Sequence, residues 1–456
     1  MRYKDLTKII PDTERLIPGD RIEGKYLSDA LGRSRGVASA LLFPLTSEEV
    51  RLIAAYANER AIPITARSGG TNLTGSTVPH GGLVIDFSRM NRILEIDRET
   101  LTATVEPGVV LADFQGLLEA QGLFYPPDPG EKTSTIGGNI ATNAGGMRAV
   151  KYGVTRDYVR ALEIVTADGK ILWLGGKTVK DASGLSLKNL IIGSEGTLAL
   201  ITKIVLKLIP LPAKTIAAVA AFPNLDRAAA GVNRIIMSAS GPTSVEFLER
   251  EVVKLGERFS GLSFPLDKHE AFIIASFDGG DDDEILQRVS LIEQAVRSAG
   301  AEDFAVLEDT QAQADMWRIR GCLVKAVEAV SEQEPMDIVV PINKISDFIA
   351  YTHELEAESG IRMVSFGHAG DGNIHLCIIR GDREQNLWEE ALDRVMTKLY
   401  RKTADLGGLV SGEHGIGIAK RSYYLANAAP ESIALMRAVK SAFDPNNILN
   451  PGKSYS

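Results

Sequence analysis

The chain has 456 residues, 45% of them hydrophobic and 24% charged, which suits two or three domains at about 150 residues each. That composition excludes a disordered, collagen-like or disulfide-stapled chain. The net charge of −9, from 50 Lys and Arg against 59 Asp and Glu, argues against a nucleic-acid surface, which carries a basic balance or stripe.

The opening segment, MRYKDLTKIIPDTERL, lacks the apolar core of a signal peptide. The most apolar region, Leu198–Phe222, is interrupted by Lys203, Lys207, Pro210, Pro212 and Lys214. No transmembrane segment is therefore expected, and the expected location is cytoplasmic, with any membrane association made through partners. Cys322 and Cys377 are too few for the four thiolates of an iron–sulfur cluster. They also make no disulfide framework, and are expected as buried free thiols.

Residues 43–66 read as strand, helix, strand, with Thr46 and Glu49 as a capping box. Val50, Ile53, Ala54 and Ala57 follow at helical spacing, and Pro63 ends the pattern. Leu83–Phe87, Ile93–Ile96 and Leu101–Val105 read as strands, Val110–Gln121 as a helix, and Ala161–Leu174 as a hairpin around Asp168-Gly169. Beyond Pro212, strands and amphipathic helices alternate. Strands are expected at Thr215–Ala221, Ser244–Leu248, Ala271–Phe277, Asp303–Leu307, Asp337–Val340, Met363–Phe366 and Ile374–Ile379. Helices are expected at Asp226–Ser238, Asp282–Ser298, Ala312–Val330, Asn343–Glu358, Glu389–Leu406 and within Ser432–Pro451. The fold class is α+β, the second part having a mostly antiparallel sheet. The expected division is an N-terminal helical extension at 1–37, a nucleotide-binding domain at 38–213, a substrate domain at 214–415, and a tail at 416–456 returning to the first domain.

Three glycine loops stand out: Arg67-Ser-Gly-Gly-Thr-Asn-Leu-Thr-Gly75 after a strand, Pro126-Pro-Asp-Pro-Gly130 continuing into Thr133–Gly146, and Gly193-Ser-Glu-Gly-Thr197 entering a strand. Glycine pairs let backbone approach a ligand and turn N–H groups inward, while Ser, Thr and Asn add neutral donors. Such loops suit a pyrophosphate held with little positive charge. Neither a Rossmann fingerprint nor a Walker A motif is present.

Three of the six histidines fall in two motifs, His368-Ala-Gly-Asp-Gly-Asn-Ile-His375 and Ser411-Gly-Glu-His-Gly-Ile-Gly417. The first reads as strand end, turn and strand start, so its imidazoles can converge, and His375 shares a strand face with Cys377. Two imidazoles and a carboxylate suit Zn²⁺ or a similar divalent ion with positions left open. Cys377 is a fourth candidate ligand, less favoured than a buried thiol. Met316-Trp-Arg-Ile-Arg320, early in a helix, reads by itself as a solvent ion-pair segment.

The three loops, in order and spacing, resemble the FAD-binding domain of the vanillyl-alcohol oxidase / para-cresol methylhydroxylase superfamily from about Leu42 to Pro210. Over nearly the whole chain the sequence resembles the D-lactate dehydrogenase, glycolate oxidase D-subunit and D-2-hydroxyglutarate dehydrogenase branch. The resemblance implies that fold, with an α+β cap domain and bound FAD. It implies cofactor contacts from Arg67, Ser68, Gly69, Gly70, Thr71, Asn72 and Gly75, from Pro127, Asp128, Thr133, Ser134, Gly137, Gly138, Asn139, Thr142, Asn143, Gly145 and Gly146, and from Glu195, Gly196, Ile201 and Asn450, with Lys453 also returning from the tail. Thr71 stands where many relatives carry the histidine that attaches the flavin, which implies non-covalent FAD. His368, His375 and Glu413 match the metal ligands (Zn²⁺ first; Mn, Fe or Co as alternatives), His414 matches the catalytic base, and Arg320 matches the arginine that pairs with the substrate carboxylate. Val324 and Pro335 replace the polar residue and the lysine of the hydroxyglutarate enzymes, which points to a short monocarboxylate such as D-lactate or glycolate.

The expected reaction is oxidation of a short D-2-hydroxy acid to the 2-oxo acid, with hydride passing to flavin N5. An electron-acceptor protein, either an electron-transfer flavoprotein or an iron–sulfur subunit, is the expected partner. The alternatives are a hydroxyglutarate-type dehydrogenase using an electron-transfer flavoprotein, a non-redox flavoenzyme, an electron-transfer subunit with a vestigial site, and a metal hydrolase.

Overall fold

The computed structural model describes residues 5–266 and 268–456; the first four residues of the expected extension lie outside that range. The chain divides into two units. One holds the described residues up to Gly145 together with Val154–Leu211 and Glu413–Ser456, and the other holds Gly146–Gly153 and Pro212–Gly412.

The first unit contains two larger sheets and a two-stranded one, in which Ile209–Pro210 runs antiparallel to Leu123–Phe124. In the four-stranded one, Leu16–Pro18 runs antiparallel to Ala40–Leu42, which pairs in parallel with Leu83–Asp86, itself parallel to Ile64–Arg67. The five-stranded sheet is antiparallel, in the order Ile93–Asp97, Thr102–Val105, Leu200–Lys207, Val159–Val165, Ile171–Gly175. Helix Ser47–Glu59 turns Val50, Ile53, Ala54 and Ala57 into the core beside Ile64, Leu83 and Leu200. Thr46 caps this helix through its hydroxyl on the Glu49 N–H. The reciprocal half of the expected box is absent, because the Glu49 carboxylate accepts from the Leu45 N–H and from Arg15 instead.

Residues 5–37 are not the helical extension expected from the sequence. They hold one four-residue helix, Leu6–Ile9, then the edge strand Leu16–Pro18 and two single 3₁₀ turns. The physical reason is burial: Leu6 and Ile10 complete the core of the first sheet, and Pro11 and Pro18 prevent a continuous helix. At the other end of the chain, Ile448–Asn450 runs beside Ile64, whose N–H donates to Ile448 O and whose O accepts from the Asn450 N–H. Lys440, buried in the helix Pro430–Phe443, anchors this return by donating to Thr197 O and Leu449 O and by pairing with Asp444.

The second unit is built on a seven-stranded sheet ordered Asp303–Leu307, Lys214–Phe222, Ala271–Gly279, Ser244–Glu249, Met363–His368, Asn373–Ile379, Gln333–Val339, every neighbouring pair antiparallel. One face packs on helices Arg250–Ser260, Thr310–Gly321 and Leu323–Glu328 through Leu248, Phe272, Met316, Ile319, Phe366 and Cys377. Helix Leu225–Met237 lies over the other face, so close that a Cβ on Gly231 would stand 2.8 Å from the Phe222 ring. The single helix expected over 312–330 is two, broken at Cys322, whose ψ of 2° leaves the helical region. The break accompanies a tight crossing. A Cβ on Gly256 would stand 2.8 Å from Leu323 and 3.0 Å from Ile319, one residue from each helix. Among the described residues, no helix is long and apolar enough to cross a membrane.

Candidate active site

The glycine loops of the first unit converge. Ile140 O and Ala141 O accept from the N–H groups of Gly193 and Glu195, joining the second loop to the third. Asn450 Nδ2 donates to Ser76 O and Glu195 O at 3.0 and 2.8 Å, adding the tail and the first loop. A Cβ on Gly69 would stand 3.3 Å from Thr133 O, and a Cβ on Gly137 2.5 Å from Pro107, so both glycines mark close backbone approaches. Gly70, Gly75 and Gly196 hold φ of 68°, 76° and 72°, a region that favours glycine.

Several polar side chains organise the loops themselves. Asn72 Oδ1 accepts from the N–H groups of Thr74 and Ser76, while its amide donates to His414 O. Thr135 caps the helix Ile136–Thr142, and Asn143 ends that helix in the left-handed region at φ 54° with Oδ1 on the Arg156 N–H. Arg67 points inward: it donates to Ser28 O and Thr77 Oγ1, lies 3.9 Å from Asp86, and burial pulls its pKa down. Glu195, at φ 51°, accepts from the N–H groups of Ile416 and Gly417 and from the hydroxyls of Ser76 and Ser454. Both side chains are thus engaged by the protein. Asp128 pairs with Lys132, Pro127 O accepts from Gln115, and Thr133 donates to Glu131. Ile201 is half-buried beside an irregularity in strand pairing, and Asn139 is buried.

Three buried polar atoms in these converging loops have no partner: Ser68 Oγ, Ser134 Oγ and Asn450 Oδ1. Buried hydroxyls and amides are normally satisfied. A loop cluster holding donors and an acceptor in reserve, with the backbone opened by glycine, fits a dinucleotide such as FAD. Thr71 is half-buried in the first loop. His414 is partly exposed, and its Nε2 lies 3.8 Å from Glu413 Oε1. Gly145 leaves room for that carboxylate, since its Cβ would stand 3.2 Å from Oε2.

The second unit's sheet carries a polar cluster of its own. Register places Glu246 opposite His368, Phe366 opposite His375, His368 opposite Asn373, and Asp337 opposite His375. Cross-strand partners share a face, so Glu246, His368, Asn373, His375 and Asp337 line one side. Farther along, the same side carries Leu248, Val364, Phe366 and Cys377 in the apolar core. Cys377 is buried there, and burial pushes its thiol up to about 12; it behaves as a core side chain. His368 Nε2 and His375 Nε2 lie 3.3 Å apart.

Glu246 is fully buried and holds two groups at once. His368 Nδ1 stands 2.7 Å from its Oε1, and Arg320 Nε donates to its Oε2 at 2.8 Å. Burial alone would raise its carboxyl pKa, but the interactions with His368 and Arg320 outweigh that and hold it below the ordinary value. Arg320, whose segment by itself reads as a solvent ion pair and which the resemblance marks for the substrate carboxylate, is 93% buried with its guanidinium 4.9 Å from the Phe366 ring centre. Its Nη2 is ion-paired with Glu246 Oε2 at 2.6 Å but makes no hydrogen bond of good geometry.

Sequence reasoning missed Glu246 and Asp337. Asp337 is fully buried and accepts from Asn373 Nδ2 at 2.7 Å, Ser411 Oγ at 2.8 Å and the Gly412 N–H at 3.2 Å. It thereby fixes the chain immediately before Glu413 and His414. The available signal was an acidic residue inside an apolar strand, as in Ser244-Val-Glu-Phe-Leu248 and Asp337-Ile-Val-Val340. A further surprise is the segment Gly146–Gly153, which follows a flavin-type loop yet belongs to the second unit, where Lys151 and Tyr152 hold Asp278.

Residues 211–454 match the family of FAD linked oxidases, C-terminal domain, and residues 38–175 match the FAD binding domain family. The chain is 42% identical to a D-lactate dehydrogenase of Anaerostipes hadrus, covering 96% of this chain and 94% of that protein. It is 38% identical to glycolate oxidase subunit GlcD of Bacillus subtilis (94% and 92%), and 32% identical to a D-2-hydroxyglutarate dehydrogenase of Xanthomonas citri (91% and 89%). Among solved structures, p-cresol methylhydroxylase superposes with a TM-score of 0.80 at 18% identity, over 99% of this chain and 95% of that one. A 4-ethylphenol oxidase from Gulosibacter chungangensis gives 0.77 at 19%, over 99% and 97%. These two likenesses establish the vanillyl-alcohol oxidase type of fold.

Proposed function

The chain belongs to the FAD-linked oxidases, and from that membership we infer that it is a metal-assisted dehydrogenase of short D-2-hydroxy acids, with D-lactate or glycolate as substrate. The observation that carries the reading is the pair of imidazoles on the second unit's sheet, Nε2 to Nε2 at 3.3 Å. Two nitrogens each bound at about 2.05 Å to one tetrahedral ion stand about 3.3 Å apart. The names of the relatives favour the substrate class: two of those compared act, by name, on D-lactate and D-2-hydroxyglutarate, and a third is a glycolate oxidase subunit.

His368, His375 and Glu413 would hold the divalent ion, Zn²⁺ first, with Mn, Fe or Co as alternatives. When bound, the ion supplies Lewis acidity that lowers the pKa of the substrate hydroxyl, and FAD supplies the acceptor for the Cα hydride. Arg320 takes the substrate carboxylate with the guanidinium N–H groups that Glu246 leaves over, since a guanidinium fork accommodates a second anion beside the first. His414 accepts the hydroxyl proton at a ring nitrogen. Ser68, Ser134 and Asn450 meet the flavin nucleotide with their unpartnered atoms. Thr71 offers no nucleophilic imidazole, so the flavin is held without a covalent bond. Val324 and Pro335 themselves offer no polar or cationic group to a distal carboxylate, which favours the monocarboxylates. The electrons then leave to a partner protein.

Dye-linked turnover with D-lactate, L-lactate, glycolate and D-2-hydroxyglutarate tests the reading. Turnover with a short D-acid, abolished in His375→Ala and in His414→Ala, supports it. Equal turnover of the two lactate enantiomers, or full activity in either variant, would overturn it.

A further inference from the structure

We propose that Glu246 is the positioning residue of the His368–His375 pair: its carboxylate fixes His368 as the Nδ1–H tautomer, so that Nε2 keeps its lone pair directed toward His375. The inference rests on the metal reading above and deepens it.

Four observations lead to it. Glu246 is fully buried, so its carboxylate has no water to satisfy it and must be held by the protein. Strand register puts it directly opposite His368, with Oε1 2.7 Å from Nδ1. An ionised carboxylate only accepts hydrogen bonds, so the proton of that contact sits on Nδ1 and the lone pair of the neutral ring is left on Nε2. Finally, Arg320 occupies Oε2 and balances the carboxylate charge, so His368 need not be protonated to satisfy its neighbour. A neutral imidazole is the form that ligates a metal, and a carboxylate on the far ring nitrogen orients it and raises its basicity.

The competing role is structural, with Glu246 only tying the helix Thr310–Gly321 to the sheet through Arg320. The two roles separate on metal affinity. Glu246→Gln keeps the shape but can present its amide N–H to Nδ1, which stabilises the opposite tautomer and blocks Nε2.

The experiment uses the purified flavoprotein, stripped of metal and titrated with Zn²⁺ in competition with a chromophoric chelator. The Co²⁺-substituted spectrum is recorded beside flavin content and melting temperature. Glu246→Gln is expected to bind Zn²⁺ about 10–100-fold more weakly and to change the Co²⁺ ligand-field bands, with flavin content retained. His375→Ala marks the centre itself. If His375→Ala loses the metal while Glu246→Gln binds it as tightly as wild type with the same Co²⁺ bands, the positioning role is wrong and the metal reading stands. If wild type binds no divalent metal, or His375→Ala binds it unchanged, the metal reading falls and this inference with it. Should Glu246→Gln not fold, the double variant Glu246→Gln/Arg320→Gln removes the buried ion pair as a whole and carries the same expectations.

Discussion

Glu195→Gln is the substitution that most directly probes how the flavin-binding unit is held together. One carboxylate ties three distant segments, with Ile416 N–H and Ser454 Oγ on Oε1 and Gly417 N–H and Ser76 Oγ on Oε2. A glutamine has one oxygen. Whichever way the amide turns, its NH₂ faces a backbone N–H, so one charged hydrogen bond is lost and a buried donor is left unpaired. A hydrogen bond to a charged group contributes about 1.5–3 kcal/mol, and an unpaired buried donor adds to the loss, so a cost of about 3 kcal/mol follows. For a domain of 150–250 residues that corresponds to a fall of about 6–12 °C in melting temperature. The assay is thermal unfolding followed by circular dichroism, with flavin affinity measured by fluorescence quenching. The variant should melt lower and bind FAD more weakly, because the loops it unties carry Ser68 and Asn450. A melting temperature within 2 °C of wild type with unchanged FAD affinity would refute this role.

Further outcomes follow from the same geometry. A Cβ on Gly412 would stand 2.0 Å from Asn373 Nδ2 and 2.8 Å from Asp337 Oδ1, so Gly412→Val should lower kcat about 100-fold by displacing the chain before Glu413 and His414, with flavin content preserved; unchanged steady-state kinetics would contradict this. Lys453 is buried on Val78 O, and burial pulls its pKa down to about 8 from 10.5. The unfolded state therefore binds the proton more tightly. The cost of burying the charge is fully present below pH 8 and is relieved as pH rises toward 10.5. In urea unfolding, the stability of wild type relative to Lys453→Met should thus rise between pH 8 and 10.5; a flat difference would show that the buried ammonium is not destabilised. Acid precipitation should release all of the flavin into solution, as Thr71 implies, and flavin retained in the pellet would show a covalent bond.

Much of this architecture was legible in the sequence because its apolar patterns carry it. The continuous apolar runs in Lys214–Phe222 and Ala271–Gly279 become strands buried on both faces, and the helical spacing around Val50–Ala57 becomes the buried face of its helix. The glycine loops were legible for a different reason: positive φ and close approach leave few residue choices, as at Gly70 and Gly137. What escaped was tertiary. Nothing local says that Arg67 and Glu195, in loops rich in ligand-type residues, turn their charges into the protein. Nothing local pairs Glu246 with His368, which lie 122 residues apart. Gly146–Gly153 is tied to the second unit by Lys151 and Tyr152 on Asp278, a partner more than a hundred residues away, and by Val150 against Gly370. The short helices Leu6–Ile9 and Arg421–Asn427 lie below the length at which periodicity is informative.

In the proposed reaction a short D-2-hydroxy acid delivers hydride to the flavin. Anaerobic mixing of the metal-loaded flavoprotein with D-lactate, L-lactate or glycolate, followed by the flavin's visible absorption, tests it most directly. Prompt bleaching by D-lactate or glycolate, none by L-lactate, and loss of the fast phase in His414→Ala are expected. A flavin spectrum that no hydroxy acid bleaches, with Zn²⁺ or Mn²⁺ restored, would contradict it.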